Sequence, residues 1–151
     1  MHQMLRYVVY LHSLCITCLD LSPQNILVTE HAYGNIYELL DFSSSHRLTA
    51  ASAPAGATPV FDWPQESRGA PELAIRKGAD EEGEEEEKEK EETETNPFDV
   101  DVWALGQTFA AIDYSDTILS PVVERMLSSD PDLRPSAQDA LQQYAELMGE
   151  G

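Results

Sequence analysis

The stretch CITCLDLSPQNILVTEHAYGNIYELLDFSSSHR, residues 15–47, combines a loop around Asp20 and Pro23, called the polar loop below, with two short apolar runs. The runs NILVT at 25–29 and NIYELL at 35–40 are rich in branched and apolar residues, and EHAYG separates them. This pattern is typical of a β-hairpin. In a hairpin, the start of the first strand lies next to the end of the second strand. We therefore expect Asp41 to lie beside Asn25.

Three oxygen-bearing side chains at this end of the hairpin indicate metal and phosphate chemistry. Asn25 and Asp41 offer the amide and carboxylate oxygens that Mg²⁺ favours, with waters or phosphates completing its coordination. Asp20, in the loop before Asn25, can orient a hydroxyl for attack on a phosphoryl group held by the metal. The alternative is a loop in which Asp and Asn only satisfy turn hydrogen bonds. Spacing alone leaves both interpretations open.

The remaining sequence predicts a mainly helical domain around this small hairpin. Apolar residues recur at helical spacing in residues 3–14, and a central helix is expected from about Asp99. Two late helices are expected at 119–128 and 136–148. The Ala-, Pro- and Gly-rich stretch at 49–59 is interpreted as a loop. A chain of 151 residues that is 42% hydrophobic fits one domain with one core.

The charge of the chain is strongly negative and unevenly distributed. The formal net charge is -19, with 9 Lys and Arg against 28 Asp and Glu, which argues against nucleic acid or an anionic membrane as partner. Residues 80–94 hold 11 acids and two lysines, a local balance of -9. We expect this block to be a disordered acidic insertion that folding does not need. The alternative is a docking segment for a basic protein partner.

Two cysteines, Cys15 and Cys18, form a C-x-x-C pair. A structural zinc site usually needs four ligands, and His12 offers only a third candidate, so reduced, partly buried thiols are expected. The apolar run before Cys15 is interrupted by His12 and is not followed by a clear cleavage site, which argues against a signal peptide. No run reaches the length of a membrane helix. We therefore expect an intracellular protein, cytoplasmic or nuclear.

Five segments resemble motifs of eukaryotic protein kinases and follow each other in the family's order. YLHSLCITCLDLSPQNIL is similar to the helix and catalytic loop Y-L-H-S-x-x-I-x-H-R-D-L-K-P-x-N-I-L, and LLDFSSS resembles the metal-binding D-F-G segment. GAPEL resembles the A-P-E motif that closes the activation segment. DVDVWALGQTF resembles the central D-V-W-S-L-G helix, and MLSSDPDLRPSAQDAL resembles the late D-P-x-x-R-P-S/T stretch. These segments lie at 10–27, 39–45, 69–73, 99–109 and 126–141.

The resemblance implies roles for the residues of the loop and hairpin. Asp20 matches the catalytic base, Asn25 matches the second metal ligand, and Asp41 matches the aspartate that binds Mg²⁺ bridging the phosphates of ATP. Ser22 stands where the family has a lysine that steadies the transferring phosphate. The implied cofactors are Mg²⁺ and ATP, and the implied substrate is a protein with a Ser or Thr hydroxyl.

The resemblance also implies structural roles further along the chain. Glu72 matches the glutamate that pairs with the arginine of the late motif, here Arg134, so a buried ion pair is predicted. Asp101 matches the aspartate that holds the catalytic loop by hydrogen bonds to its backbone. Trp103 and Leu105, beside Asp101, are expected in the core.

The departures from the family pattern concern charge and length. Cys18 and Leu19 replace the His-Arg pair, so the arginine that reads an activation-loop phosphate is missing. Ser22 is neutral, and Ser43 replaces the glycine of D-F-G, which limits backbone freedom. Nothing resembles the Gly-rich loop or the V-A-I-K lysine, and we expect the ATP-covering N-terminal lobe to be absent. The 31 residues from Trp103 to Arg134 also predict a reduced or lost substrate-docking helix.

Two functional interpretations follow from these observations. In the first, residues 1–151 form the C-terminal lobe of a divergent Ser/Thr-type protein kinase, truncated and much weakened or inactive by itself. In the second, a pseudokinase-like lobe serves as a scaffold or binding module through its acidic segment. The three retained oxygen ligands favour the first as ancestry, whereas Leu19, Ser22 and the missing lobe favour the second as present activity. We expect a kinase-like lobe with little or no turnover.

Overall fold

A computed structural model of the chain describes residues 1–48, 70–73, 95–112 and 118–149. These parts are mainly helical, as the sequence predicts, and contain two small antiparallel sheets, of which the sequence predicts one. Two short 3-10 helices lie at Pro23–Asn25 and Pro131–Leu133. The predicted loop at 49–59 and the acidic block at 80–94 lie outside the described residues. The elements are α1 (His2–Ser13), β1 (Ile16–Thr17), β2 (Ile26–His31), β3 (Gly34–Leu39), β4 (His46–Arg47), α2 (Pro97–Ala111), α3 (Ser120–Met126) and α4 (Ala137–Met148).

The hairpin of β2 and β3 is longer than its sequence pattern predicts. The antiparallel register runs from Ile26 opposite Leu39 to His31 opposite Gly34. The backbone φ of Gly34 is +127°, a conformation that glycine adopts without a steric cost. The chain therefore reverses within the two residues before this glycine, and Glu30 and His31 join the strand instead of the predicted loop.

A second, very short ladder joins β1 to β4. Ile16 lies opposite Arg47 and Thr17 lies opposite His46. The amide of Leu48 also donates to the carbonyl of Cys15 at 2.7 Å. The sequence does not predict this ladder, because two-residue strands carry no alternating pattern. It ties the segment after Asp41 back to the residues that lead into the polar loop.

The main core lies between the four helices. α1 turns Met4, Leu5, Val8 and Leu11 inward, the i, i+1, i+4, i+7 spacing of one helical face. These side chains join residues of the other helices and the polar loop in one apolar cluster. The other buried members of the cluster are Met1, Cys18, Leu21, Val102, Leu105, Phe109, Leu119, Val122, Val123, Met126, Ala137 and Ala140.

The helices of the second half begin and pack as their sequences dictate. Asn96 caps α2 by accepting a hydrogen bond from the amide of Phe98, and Ser136 forms a capping box with Asp139 at the start of α4. Gly106 lets α2 approach α3 closely, because an added Cβ there would lie 3.0 Å from the Cβ of Met126. α3 is shorter than the predicted helix at 119–128.

A second apolar cluster connects α2 to the segment 70–73. Its buried members are Leu19, Ala70, Leu73 and Val100, and Leu48 and Trp103 pack against it. Leu105 belongs to the main core and is fully buried, whereas Trp103 is only partly buried. Residues 112–119 separate α2 from α3. No helix is present in the described part of this connection, whose residues 113–117 are outside the described residues.

Candidate functional site

Asp101 on α2 supports the polar loop by accepting hydrogen bonds from its backbone. Its side chain is fully buried, and its two oxygens accept hydrogen bonds from the amides of Cys18 and Leu19, each at 2.8 Å. A buried carboxylate is tolerated only where such donors replace water. The predicted contact between Asp101 and the loop backbone is present in the structure, and it fixes the two residues that precede Asp20.

Two further side chains contact the carboxylate of Asp101, and the sequence does not predict this role for them. The hydroxyl of Thr17 donates to Asp101 Oδ2 at 2.9 Å, and Nε2 of His12 lies 3.1 Å from the same oxygen. The ring of His12 also contacts that of Phe98, with the centroids 4.6 Å apart. His12 is thus engaged with Asp101 instead of serving as the third ligand beside the cysteines.

Asp20 and Asn25 meet across the polar loop. Nδ2 of Asn25 donates to Oδ2 of Asp20 at 2.7 Å and to its backbone carbonyl at 3.3 Å. Both partners are acceptors, so these bonds orient the amide with its nitrogen towards Asp20. Oδ1 of Asn25 is left with no hydrogen-bond donor among the described residues. The 3-10 helix at Pro23–Asn25 produces the close approach, because it turns Asn25 back towards the start of the loop.

Asp41 lies where the hairpin returns to Asn25. The amide of Leu40 donates to the carbonyl of Asn25 at 2.9 Å, so the residue before Asp41 is paired directly with Asn25. Oδ1 of Asp41 accepts a hydrogen bond from the amide of Ser43 at 2.8 Å. The amide and then the hydroxyl of Ser43 lower the pKa of Asp41 below its ordinary value. Asp41 is exposed and therefore presents an ionised carboxylate to solvent.

The positions that depart from the kinase pattern are uncharged. Ser22 is the N-cap of the 3-10 helix, but its side chain makes no capping hydrogen bond. Burial and then the charge of Asp101 raise the pKa of the Cys18 thiol to about 12, so this thiol stays neutral. Cys15 is exposed, which corrects the expectation of two partly buried thiols. Leu19 is buried in the second apolar cluster.

Glu72 and Arg134 form the predicted ion pair. Nη1 of Arg134 lies 2.6 Å from Oε1 of Glu72, and Nη2 lies 2.7 Å from Oε2. Arg134 also donates from Nε to the carbonyl of Ser128 at 2.8 Å and from Nη1 to that of Asp99 at 3.3 Å. Two parallel bonds between a guanidinium and a carboxylate give both strength and a fixed orientation. The pair therefore fastens the segment 70–73 to α2 and the loop before α4.

The donor set at the hairpin end fits a hard cation. A magnesium ion prefers carboxylate and amide oxygens, and the Asn25 Oδ1 and the ionised Asp41 are of this kind. Within the described ranges, no group of three or more His, Cys, Asp or Glu side chains is arranged to hold a metal ion. The fit thus rests on two protein oxygens, with phosphates or waters as the remaining ligands.

No helix in the described part of the chain is long and apolar enough to cross a membrane.

Comparison with known proteins shows a protein kinase-like fold. A solved structure titled for the Rad53 kinase domain and SCD2 is similar to this chain, with a TM-score of 0.62 and 17% sequence identity. The likeness covers 94% of this chain and 52% of that one, so the present chain spans about half the length of its neighbour. No family model matches the sequence, and no curated protein matches it. At this identity, the likeness shows the fold alone.

Proposed function

We propose that residues 1–151 form the C-terminal lobe of a divergent protein kinase-like phosphotransferase whose family activity is ATP-dependent phosphoryl transfer to protein Ser/Thr hydroxyls. The contact between Asp20 and Asn25 carries this proposal. It places a carboxylate against an amide whose oxygen remains free, at the point where the hairpin brings back Asp41. The backbone bond between Leu40 and Asn25 supports a shared site, because Leu40 directly precedes Asp41.

Each group has a distinct role in the proposed site. Asn25 Oδ1 and Asp41 hold Mg²⁺, which when bound offsets the negative charge of the ATP phosphates. Asp20 keeps Oδ2 on Asn25 and uses its other oxygen to accept the proton of a substrate hydroxyl. Asp101 supports the loop from below and touches neither phosphate nor substrate.

The proposed site is short of positive charge. In the kinase pattern, the position of Ser22 carries a lysine, and here a neutral hydroxyl replaces it. Losing one oxyanion donor in an acyl-transfer enzyme costs about 2.7–4 kcal/mol, a rate factor of roughly 10²–10³, and we expect a loss of similar size for a phosphoryl group. We therefore expect this chain alone to bind Mg²⁺ and ATP weakly and to transfer no measurable phosphate to protein.

Calorimetric titration of the chain with Mg²⁺ and ATP tests the proposal. Asn25→Ala and Asp41→Asn should each abolish the weak binding, whereas Asp132→Asn, an exposed change away from the site, should leave it intact. Ser22→Lys should tighten ATP binding, because it restores a cation near the phosphates. Binding that is unaffected by both Asn25→Ala and Asp41→Asn would refute the site.

A transfer assay separates a weakened enzyme from an inactive lobe. If the coding sequence before Met1 supplies a Gly-rich loop and a V-A-I-K-like lysine, the extended protein should phosphorylate a protein substrate. Asp20→Asn should then abolish the transfer. Transfer by residues 1–151 alone, lost on Asp20→Asn, would contradict our account of what an ATP-covering lobe contributes.

The second candidate is a pseudokinase-like scaffold inside the cell, supported by the neutral side chains at Leu19 and Ser22. In this case, the acidic segment 80–94 binds a basic protein partner. Deletion of 80–94 should leave cooperative unfolding unchanged but remove salt-sensitive binding of a lysine-rich peptide. Equal binding before and after the deletion would exclude the segment as the docking site.

A further inference from the structure

Leu19 directly precedes Asp20 and occupies a strained backbone conformation. Its φ is +59°, in the left-handed region that leucine rarely adopts. Only 3% of the residue is exposed. A conformation with no local preference persists only where surrounding contacts maintain it. The contacts of Leu19 are therefore what keeps the chain turned at this point.

Two independent contacts hold this residue. Its amide donates to Oδ1 of Asp101 at 2.8 Å, which fixes the position of the backbone. Its side chain packs with Ala70, Leu73 and Val100, which fixes the rotation of the backbone about that bond. With Leu19 turned into the apolar cluster, Asp20 is left half-buried on the polar side of the loop.

We infer that Leu19 is a positioning residue that holds Asp20 against Asn25 by apolar contact with the segment 70–73. The inference rests on the proposed function for the role of Asp20 as proton acceptor. The side chain of Leu19 touches neither phosphate nor substrate and acts only through Asp20.

The same contact links Asp20 to the Glu72–Arg134 ion pair. Ala70 and Leu73 flank Glu72 in sequence, so the ion pair holds both against α2. Glu72 is occupied by Arg134, and Asp101 by the donors of the loop. Because leucine is uncharged, the contact between the segment 70–73 and the residue before Asp20 consists of apolar packing.

The side-chain amide of Asn25 reports the position of Asp20 directly, because its Nδ2 donates to Asp20 Oδ2. We suggest measuring its ¹H–¹⁵N resonances and hydrogen exchange in the 151-residue chain without metal or nucleotide. Asp20→Asn identifies the signal that depends on the contact. Leu19→Ala should shift this signal towards that of an unfolded asparagine and accelerate its exchange on the order of tenfold. Leu19→Met should restore both properties.

Leu133→Ala is the matched control, because this leucine is 66% exposed and is not a member of the second cluster. It should leave the Asn25 signal unchanged. A folded Leu19→Ala protein with an unaltered Asn25 signal would overturn the inference, as would an equal change in Leu133→Ala. If Leu19→Ala does not fold, Leu73→Val should give a smaller shift in the same direction, and no shift would overturn the inference.

These measurements are independent of the proposed function. The Asn25 signal needs no Mg²⁺ or ATP, so a chain that binds neither can still show the effect of Leu19. In that case, the positioning role stands and the proposed phosphotransferase site fails. The reverse result, with Mg²⁺ and ATP bound at Asn25 and Asp41 and no response to Leu19→Ala, refutes the positioning role alone.

Discussion

The residues that support the polar loop, Asp101 and Arg134, differ from the loop and the hairpin end in how far their charges are buried and hydrogen-bonded. Asp101 and Arg134 are buried and have several hydrogen-bond partners each. Asp41 is exposed, and the hydrogen bonds that lower its pKa come from the nearby Ser43. Ser22, in the loop, has no charge at all. The supporting charges are thus fully satisfied inside the protein, while the groups that would handle phosphate are exposed or neutral.

This difference separates the requirements of the fold from those of the chemistry. Removing one partner of a buried charge costs about 3–5 kcal/mol, so the two partners are kept or replaced together. An exposed carboxylate or a lysine at the loop contributes little to folding and can be lost without unfolding the chain. Retention of Asp101 and Arg134 therefore says little about activity, whereas Ser22 bears on it directly.

The largest expected effect is that of Asp101→Ala. The substitution leaves the amides of Cys18 and Leu19 without an acceptor in a buried place, whereas the hydroxyl of Thr17 keeps the carbonyl of Pro97 at 3.2 Å. Losing a hydrogen bond to a charged group costs about 1.5–3 kcal/mol, so we expect the two losses to lower the free energy of unfolding by about 3–6 kcal/mol. Urea denaturation followed by circular dichroism measures it. Asp132→Ala, an exposed aspartate, is the control, and an equal loss in both would contradict the special role of Asp101.

Arg134→Ala is expected to cause the second-largest loss in the free energy of unfolding. Glu72 would remain partly buried without its cation, and two backbone carbonyls would lose a donor. The expected destabilisation is about 3–5 kcal/mol. Arg125→Ala, which removes an exposed arginine of α3, should change the stability by less than about 0.5 kcal/mol. An unchanged urea midpoint for Arg134→Ala would show that the pair contributes nothing to the stability.

The sequence predicts the supporting region better than the details of the loop. Helical spacing locates α1, and the resemblance to protein kinase motifs locates α2 and α4, each within a few residues. The same resemblance also predicts the contacts of Asp101 with the loop backbone and of Arg134 with Glu72. The β1–β4 ladder and the donors Thr17 and His12 could not be foreseen, since contacts between distant residues leave no local pattern. The roles of Asp20, Ser22, Asn25 and Asp41 in catalysis stay predictions.

Cys18 gives a pH-dependent test of burial beneath the loop. Its pKa of about 12 in the folded chain exceeds the ordinary value of roughly 8.5 for an unfolded thiol. Between these values, the unfolded state has lost a proton that the folded state keeps, so the stability falls as the pH rises. The contribution is up to about 1.4 kcal/mol per pH unit.

The measurement is the urea midpoint between pH 8 and 11 under reducing conditions. Cys18→Ala should show a shallower decline than the unmodified chain, although it is less stable at pH 8. The pKa of Tyr7 is raised by burial and then by the charge of Cys18, so both proteins should carry Tyr7→Phe in this comparison. In the folded chain, iodoacetamide should modify the exposed Cys15 and spare Cys18. Rapid modification of both cysteines would show that the loop opens readily.

The smallest effect on folding is expected at Asp41, and it is the sharpest test of the contrast. Asp41→Asn should leave the urea midpoint unchanged, because the carboxylate is exposed and an amide oxygen can still accept the bond from Ser43. Removing a charged ligand should nevertheless weaken Mn²⁺ binding, used as a paramagnetic substitute for Mg²⁺, by at least about tenfold. The lowered pKa of Asp41 keeps it ionised, so binding should persist until the pH falls below the ordinary aspartate value of about 3.9. Destabilisation equal to that of Arg134→Ala would mean that this end of the hairpin supports the fold, and the distinction between support and chemistry would fail.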